Sequence, residues 1–198
     1  CGADCALVIT PSFFKSAITQ EALYQHYVRV ADVSKIGILL YSVPQFTGVS
    51  LQASTVARLA EHKNIVGMKD SSGDMTLFAD LIAFTSKTFP IFVGSAPVLL
   101  PALSLGAAGG ILAVANVVPE ACIRLLHLFQ EGKIDKARDM QFNINPIAKA
   151  VTSQYGVAGL KAAMDLLSYF GGDARLPLLK VDDKAKMELH TYIQMALS

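Results

Sequence analysis

Five short apolar runs limit what this chain can fold into more than any other feature: CALVIT (5–10), IGILLY (36–41), IVGMK (65–69), PIFVG (90–94) and GILAV (110–114). They are unbroken rather than alternating, as in strands covered on both faces. Segments of helical pattern lie between them. Thr19 is placed to cap QEALYQHYVRVAD, with Glu21 in the first turn, where a carboxylate complements the helix dipole. LQASTVARLAEH, MTLFADLIAFTSK and the shorter PVLLPALSLG, stopped by Gly106, read as the next helices. The run ends, near 10, 41, 69, 94 and 115, are about one βα repeat apart, which predicts a parallel sheet of βα units.

After residue 118 the strand pattern stops. Pro119 suits a first helical position, and Cys122, Leu125, Leu126 and Phe129 follow at helical spacing until Gly132. Further helices are predicted over 134–150, over a segment with Leu160, Ala163, Met164 and Leu167 that ends at Gly171-Gly172, and over 183–196. Residues 1–118 are therefore expected to carry the sheet and 119–198 to be helical. Five βα units fit a complete doubly wound sheet or part of an eight-stranded barrel. Pattern alone favours the doubly wound sheet.

Composition removes several function classes. With a net charge of +1 and no basic stripe, the chain offers nothing to nucleic acid. Its longest apolar runs fall far short of the roughly 20 residues that span a bilayer, so no membrane partner is expected. The chain opens on CGADCALVIT, which reads as mid-domain and contains no targeting segment. Cys1, Cys5 and Cys122 form no CxxC pair and read as unpaired thiols. His26, His62, His127 and His190 are scattered, so no metal site is expected. LGAAGG (105–110) lacks the Gly-Lys-Ser/Thr ending of a phosphate loop and precedes a strand, so no cofactor is expected there.

The chemistry gathers at two strand ends. Tyr41 ends its run in ILLYSVP, and Lys69 ends the next in NIVGMKDSSGD, one βα unit later. Residues at the C-terminal ends of neighbouring parallel strands share the rim on which α/β active sites are built. A phenol and an amine thus converge beside small polar loops. Lys69 follows Ile65, Val66 and Met68, which read as buried. An amine that attacks a carbonyl must be neutral, and apolar surroundings disfavour the ammonium form. The plainer alternative is a lysine whose stem lies on the strand end while its head reaches solvent.

ILLYSVP, IVGMKDSSGD, FVGSA and GAAGGILAVAN, in this order and spacing, resemble the dihydrodipicolinate synthase and N-acetylneuraminate lyase family of class I aldolases. The resemblance implies an α/β fold: a TIM (β/α)8 barrel, N-terminally truncated to strands four to eight. GVAGLKAAMDLLSYFGG and Arg175-Leu176-Pro177-Leu178 then resemble the family's C-terminal helical extension, where Lys161 and Arg175 would be structural. It implies that Lys69 forms the Schiff base and Tyr41 moves protons. Ser71 would line the site, while Gly94, Ser95 and Asn116 would meet the polar end of an oxo-acid substrate. Asp70 and Asp74 read as loop and helix-cap groups.

YSVPxxTG and GMKDSxGD are most similar to the 4-hydroxy-2-oxoglutarate aldolase branch, which implies cleavage to pyruvate and glyoxylate, as in hydroxyproline degradation. It further implies a mitochondrial homotetramer without a cofactor. Other branches are dihydrodipicolinate synthase, which usually carries an arginine two residues after the proline of Tyr-Asn-Val-Pro, and N-acetylneuraminate lyase. Here Gln45 and Phe46 follow Pro44, and Ser42 replaces the asparagine. A nucleotide- or flavin-binding domain would need a Gly-rich loop where TPSFFKSAITQ stands. The family's Gly-Ser/Thr-x-Gly-Glu carboxylate loop belongs to the strands expected upstream, and Phe13 and Phe14 replace its usual tyrosines. Hence a catalytically inactive fragment that associates with other subunits is the reading from another class: five strands leave two open edges, prone to aggregation.

Overall fold

The computed structural model describes residues 2–198. Cys1 lies outside the described residues; Cys5 is exposed and Cys122 buried, both as free thiols. Burial, helped by Glu120, pushes the Cys122 thiol up to about 11, which keeps it protonated and inert. The chain forms two compact units, Cys1–Ile111 and Leu112–Ser198.

The first unit holds strands β1 (Cys5–Ile9), β2 (Gly37–Ser42), β3 (Ile65–Asp70), β4 (Ile91–Val93) and β5 (Gly109–Gly110). Its helices are α1 (Gln20–Val33), the single turn α2 (Pro44–Thr47), α3 (Ala53–Leu59), α4 (Met75–Phe84) and α5 (Leu99–Leu105). Every strand pair is parallel and the spatial order is β1-β2-β3-β4-β5. This order separates the two architectures left open above. Right-handed crossovers between strands added always on the same side put every helix on one face of the sheet. A doubly wound sheet reverses its order and divides its helices between two faces. The unit is therefore wound in the manner of a barrel, against the preference of the pattern alone.

The helices pack in succession, α1 on α3, α3 on α4 and α4 on α5. Leu23, Tyr27 and Ala31 of α1, Val56 and Leu59 of α3, Phe78 and Leu81 of α4, and Leu99 and Leu103 of α5 are buried. So are Ile38, Leu40, Met68, Ile91 and Val93 of the sheet. Thr19 caps α1 as expected, its hydroxyl accepting from Ala22 N–H at 3.1 Å. Gly106 ends α5 in the left-handed region.

Three expectations fail here. Coverage is not equal on both faces: Leu7 and Ile9 remain 40% and 46% exposed, on the face opposite the helices. Val66, expected to be buried, is also 40% exposed, beside a register shift at Ile38/Leu39 that places an extra β3 residue opposite β2. GILAV is not a full strand either. Only Gly109 and Gly110 pair with β4, and Ala113–Asn116 winds into a 3-10 turn.

The second unit contains α6 (Pro119–Gln130), α7 (Ile134–Lys149), α8 (Gly156–Leu166) and α9 (Asp183–Leu197). Pro119 stands in the first turn of α6, and the Asp182 carboxylate caps α9 through Ala185 N–H at 2.8 Å. Leu125, Ile144, Ile147, Ala163, Leu189 and Ile193 are buried within it. The third helix stops at Leu166 instead of reaching Gly171. Ser168 takes a left-handed φ of 62°, and Asp165 accepts the amides of Gly171 and Gly172, folding that segment back. Lys161 Nζ donates to Gly171 O at 2.6 Å, a tie within the second unit. Among the described residues, no helix is long and apolar enough to cross a membrane.

Candidate active site

Tyr41 and Lys69 are register partners at the C-terminal ends of β2 and β3. Side chains alternate along a strand, so both project to the face opposite the helices. Lys69 Nζ lies over the Tyr41 ring, 4.2 Å from its centroid. A charged ammonium in that position is held by the negative face of the ring. The amine and the phenol therefore meet without any side chain between them.

Two backbone segments complete the arrangement. Gly94 follows β4, and its N–H donates to Asp70 O at 2.6 Å. A Cβ at Gly94 would lie 2.7 Å from Lys69 Cε and 2.9 Å from Ser71 Cβ, so only a bare backbone fits beside these two side chains. Ser71 N–H donates to Ser42 O at 2.8 Å, continuing the ladder one step beyond β3. Ser95 faces the same loop, its Oγ 3.9 Å from where a Gly73 side chain would begin. Lys69, Tyr41, Ser71, Gly94 and Ser95 thus gather at one rim. Asn116 belongs to the second unit, where its amide donates to Ala113 O at 3.0 Å.

The loop after Lys69 is fixed by contacts that the sequence did not reveal. Gln45 Nε2 donates to Ser71 O at 3.0 Å and to Ser72 O at 2.7 Å, fastening α2 to that loop. Ser72 donates from Oγ to Asp70 Oδ2 at 2.6 Å, and its Oγ accepts from Asp74 N–H at 3.1 Å. Asp74 caps α4 through Thr76 and Leu77, as expected. Asp70 departs from expectation. It is the last residue of β3 rather than a loop group, and it is fully buried. Burial raises its carboxyl above the usual range, against the lowering effect of the Ser72 bonds. The signal available was the Asp-Ser-Ser-Gly-Asp run, which favours side-chain-to-backbone turns but does not tell which carboxyl is covered.

Phe13 and Phe14 stand in the loop after β1, 89% and 72% exposed, edge to face with centroids 5.0 Å apart. Surface grooves along α1 and α6 are each lined by a single helix and its end. Among the described residues, no cluster of His, Cys, Asp and Glu could hold a metal.

Comparison with known proteins is consistent across sequence and fold. The profile of the Dihydrodipicolinate synthetase family matches residues 1–196. A 4-hydroxy-tetrahydrodipicolinate synthase of Methanothrix thermoacetophila is 36% identical over 189 residues, 95% of this chain and 63% of that protein. The enzyme of the same name from Thermoanaerobacter sp. strain X514 is 36% identical over 92% of this chain and 61% of its own length. The chain thus spans about three-fifths of the curated relatives it matches. Among solved structures, dihydrodipicolinate synthase from Thermotoga maritima superposes with a TM-score of 0.91 at 30% identity, over 98% of this chain and 67% of that one. The Acinetobacter baumannii enzyme, solved in complex with pyruvate, gives 0.89 at 30% identity, over 98% and 66%. These relatives are archaeal and bacterial, organisms without mitochondria, which overturns the mitochondrial location expected from the aldolase branch.

Proposed function

Because the chain belongs to the Dihydrodipicolinate synthetase family, we propose that it carries the imine-forming part of a pyruvate-dependent class I lyase, with Lys69 as nucleophile. The observation that supports this best is the amine of Lys69 lying 4.2 Å over the Tyr41 ring on an open rim. Neutral Nζ attacks the C2 carbonyl of a 2-oxo acid, and the carbinolamine loses water to leave a protonated imine. That imine accepts the electron pair released when the C3–C4 bond breaks, giving an enamine. Tyr41 is the group that takes the proton from the 4-hydroxyl and returns one at C3. Hydrolysis then frees pyruvate and restores the amine. Ser71, Ser95 and the backbone at Gly94 supply polar contacts to the oxo-acid end.

Two acceptors fit this shared step. The relatives' names favour the direction that forms 4-hydroxy-tetrahydrodipicolinate, and they weigh more than any single residue. Cleavage of 4-hydroxy-2-oxoglutarate to pyruvate and glyoxylate is favoured by residues 44–47, Pro-Gln-Phe-Thr, which bring no cation to the rim for a second carboxylate. Ser42 does not weigh either way: it alternates with Tyr41 and is buried on the helix-covered face.

Borohydride reduction in the presence of pyruvate tests the shared step. A pyruvate-derived mass is expected on the peptide containing Lys69, and none in Lys69→Arg, which keeps the charge but supplies no neutral amine near pH 7. Labelling that persists in the arginine variant excludes Lys69. Acceptor choice is read by comparing turnover of labelled pyruvate into 4-hydroxy-tetrahydrodipicolinate with retro-aldol rates on 4-hydroxy-2-oxoglutarate and N-acetylneuraminate.

A further inference from the structure

One side chain joins the two strand ends of the site across their loops. Gln45 stands on α2, the single turn that follows Tyr41, Ser42 and Val43. Its Nε2 donates to Ser71 O at 3.0 Å and to Ser72 O at 2.7 Å, so both amide protons go to the loop after Lys69. Both partners are carbonyl oxygens, which fixes the amide orientation: flipped, it would set an oxygen against two acceptors. Thr47, the other polar side chain of α2, turns back to Val43 O and Val49 O. Gln45 alone therefore ties the side chains of α2 to that loop.

The two residues that it grips have every backbone group engaged. Ser71 N–H donates to Ser42 O, and Ser72 N–H donates to Asp70 Oδ2 at 3.3 Å. Their carbonyls both point to Gln45. The Ser72 hydroxyl is occupied on both sides, by Asp70 and by Asp74 N–H. Among the described residues, the Ser71 hydroxyl is the one polar group of the pair without a hydrogen bond. The Ser71 side chain and the Lys69 stem meet on the same bare backbone at Gly94. Rotation of the Ser71–Ser72 peptide would carry that hydroxyl away from the amine. Gln45 is what opposes the rotation, because it holds both carbonyls at once.

We propose that Gln45 is a positioning residue for imine formation: it fixes the loop after β3 so that the Lys69 amine stays at the Tyr41 ring with the Ser71 hydroxyl free beside it. Direct binding of a substrate carboxylate does not suit this side chain. Both of its protons are committed, and the atom left over, Oε1, is an acceptor that repels a carboxylate. Gln45 is also exposed, so its tie adds little to overall stability. What it controls is geometry at the rim, where a displacement of about 1 Å costs on the order of 100-fold in rate. The catalytic part rests on the imine reading of Lys69; the tie between the two loops does not.

Three variants of the full chain test this, read by the rate of borohydride-trappable imine as pyruvate is varied. Gln45→Met keeps the length and removes the donors. It is expected to slow imine formation about tenfold at saturating pyruvate, while the half-saturating concentration moves less than about twofold. Gln45→Lys, whose ammonium can donate to both carbonyls, is expected to recover most of the rate. Gln45→Glu should match the methionine variant at neutral pH and gain on it as pH falls, since its protonated carboxyl regains one donor. A raised half-saturating concentration at an unchanged saturated rate would make Gln45 a substrate contact and overturn the proposal. A lysine variant no faster than methionine overturns it too. If the unaltered chain forms no imine, the reading of Lys69 fails, and amide hydrogen exchange decides the tie by itself. Faster exchange at Ser71 and Ser72 in Gln45→Met, with β2 unchanged, supports it; unaltered exchange removes it. Should Gln45→Met loosen the whole first unit, exchange in Gln45→Lys decides: protection regained at Ser71 and Ser72 supports the tie, and protection still lost overturns it.

Discussion

The contact between Lys69 and Tyr41 separates two properties of one tyrosine. The ring face lies against the Lys69 amine, and the hydroxyl moves protons in the proposed reaction. Tyr41→Phe keeps the first and deletes the second. Turnover is expected to fall about 100- to 10,000-fold, the range of a general acid–base group, while the trapped imine on Lys69 persists. Steady-state rates beside borohydride labelling check this, and an unchanged rate reduces Tyr41 to packing. Asp70 gives a second expectation. Its proton is bound more tightly folded than unfolded, because burial raises the folded value, with Asp74 at the α4 N-cap adding to it. That contribution is complete below the ordinary carboxylate value of about 3.9 and is lost as pH rises through the raised one. The difference in unfolding midpoint between the native chain and Asp70→Asn should therefore shift against the native chain as pH rises across that window. Lys69 and Tyr41 were legible as strand ends because a polar residue closing an apolar run marks a rim. The burial of Ser42 and Asp70 was not legible, since a stretch of sequence does not say which of two alternating faces is covered.

At the scale of the element, the loop after β3 is held from three sides, by Gln45 of α2, by the Ser42 carbonyl at the end of β2 and by Gly94 after β4. Gly94→Ala forces a methyl against Lys69 Cε and the Ser71 side chain. We expect a loss of stability of about 1–3 kcal/mol, as for other overpacked sites, together with slower imine formation. Chemical denaturation and the trapping assay measure the two, and a variant unchanged in both shows that the loop can yield. Helix starts were readable, since Thr19, Asp74 and Pro119 stand where caps and first turns were expected. Ends were less so. The third helix of the second unit halts where Asp165 captures two glycine amides, a contact between residues several positions apart. GILAV reads as a strand by composition, but the ladder ends after Gly110, with Ile111 N–H making a last bond to Val93 O at 2.9 Å before the chain turns into a 3-10 segment.

For the molecule as a whole, the βα count was legible in the apolar pattern, whereas the barrel-like winding was legible only through the motifs at the strand ends, since local pattern counts strands but does not order them in space. The order found leaves β1 paired on one side only among the described residues, with Leu7 and Ile9 exposed on its open face. An unprotected apolar edge favours association of copies. Light scattering of the chain is expected to show species larger than a monomer, and Ile9→Lys to shift them toward the monomer. No shift with the lysine variant would place the contact elsewhere.

The sequential order has a further consequence, for how the first unit is assembled in time. No strand waits for a later one to be inserted between it and its neighbour, since β2 adds to β1, β3 to β2 and so on along the chain. Each pairing closes a loop no longer than one crossover, which keeps the entropy of every step small. During synthesis, as residues emerge at about 5–20 per second, every new strand meets a template already formed. Growth of the sheet can then follow translation from β1 to β5.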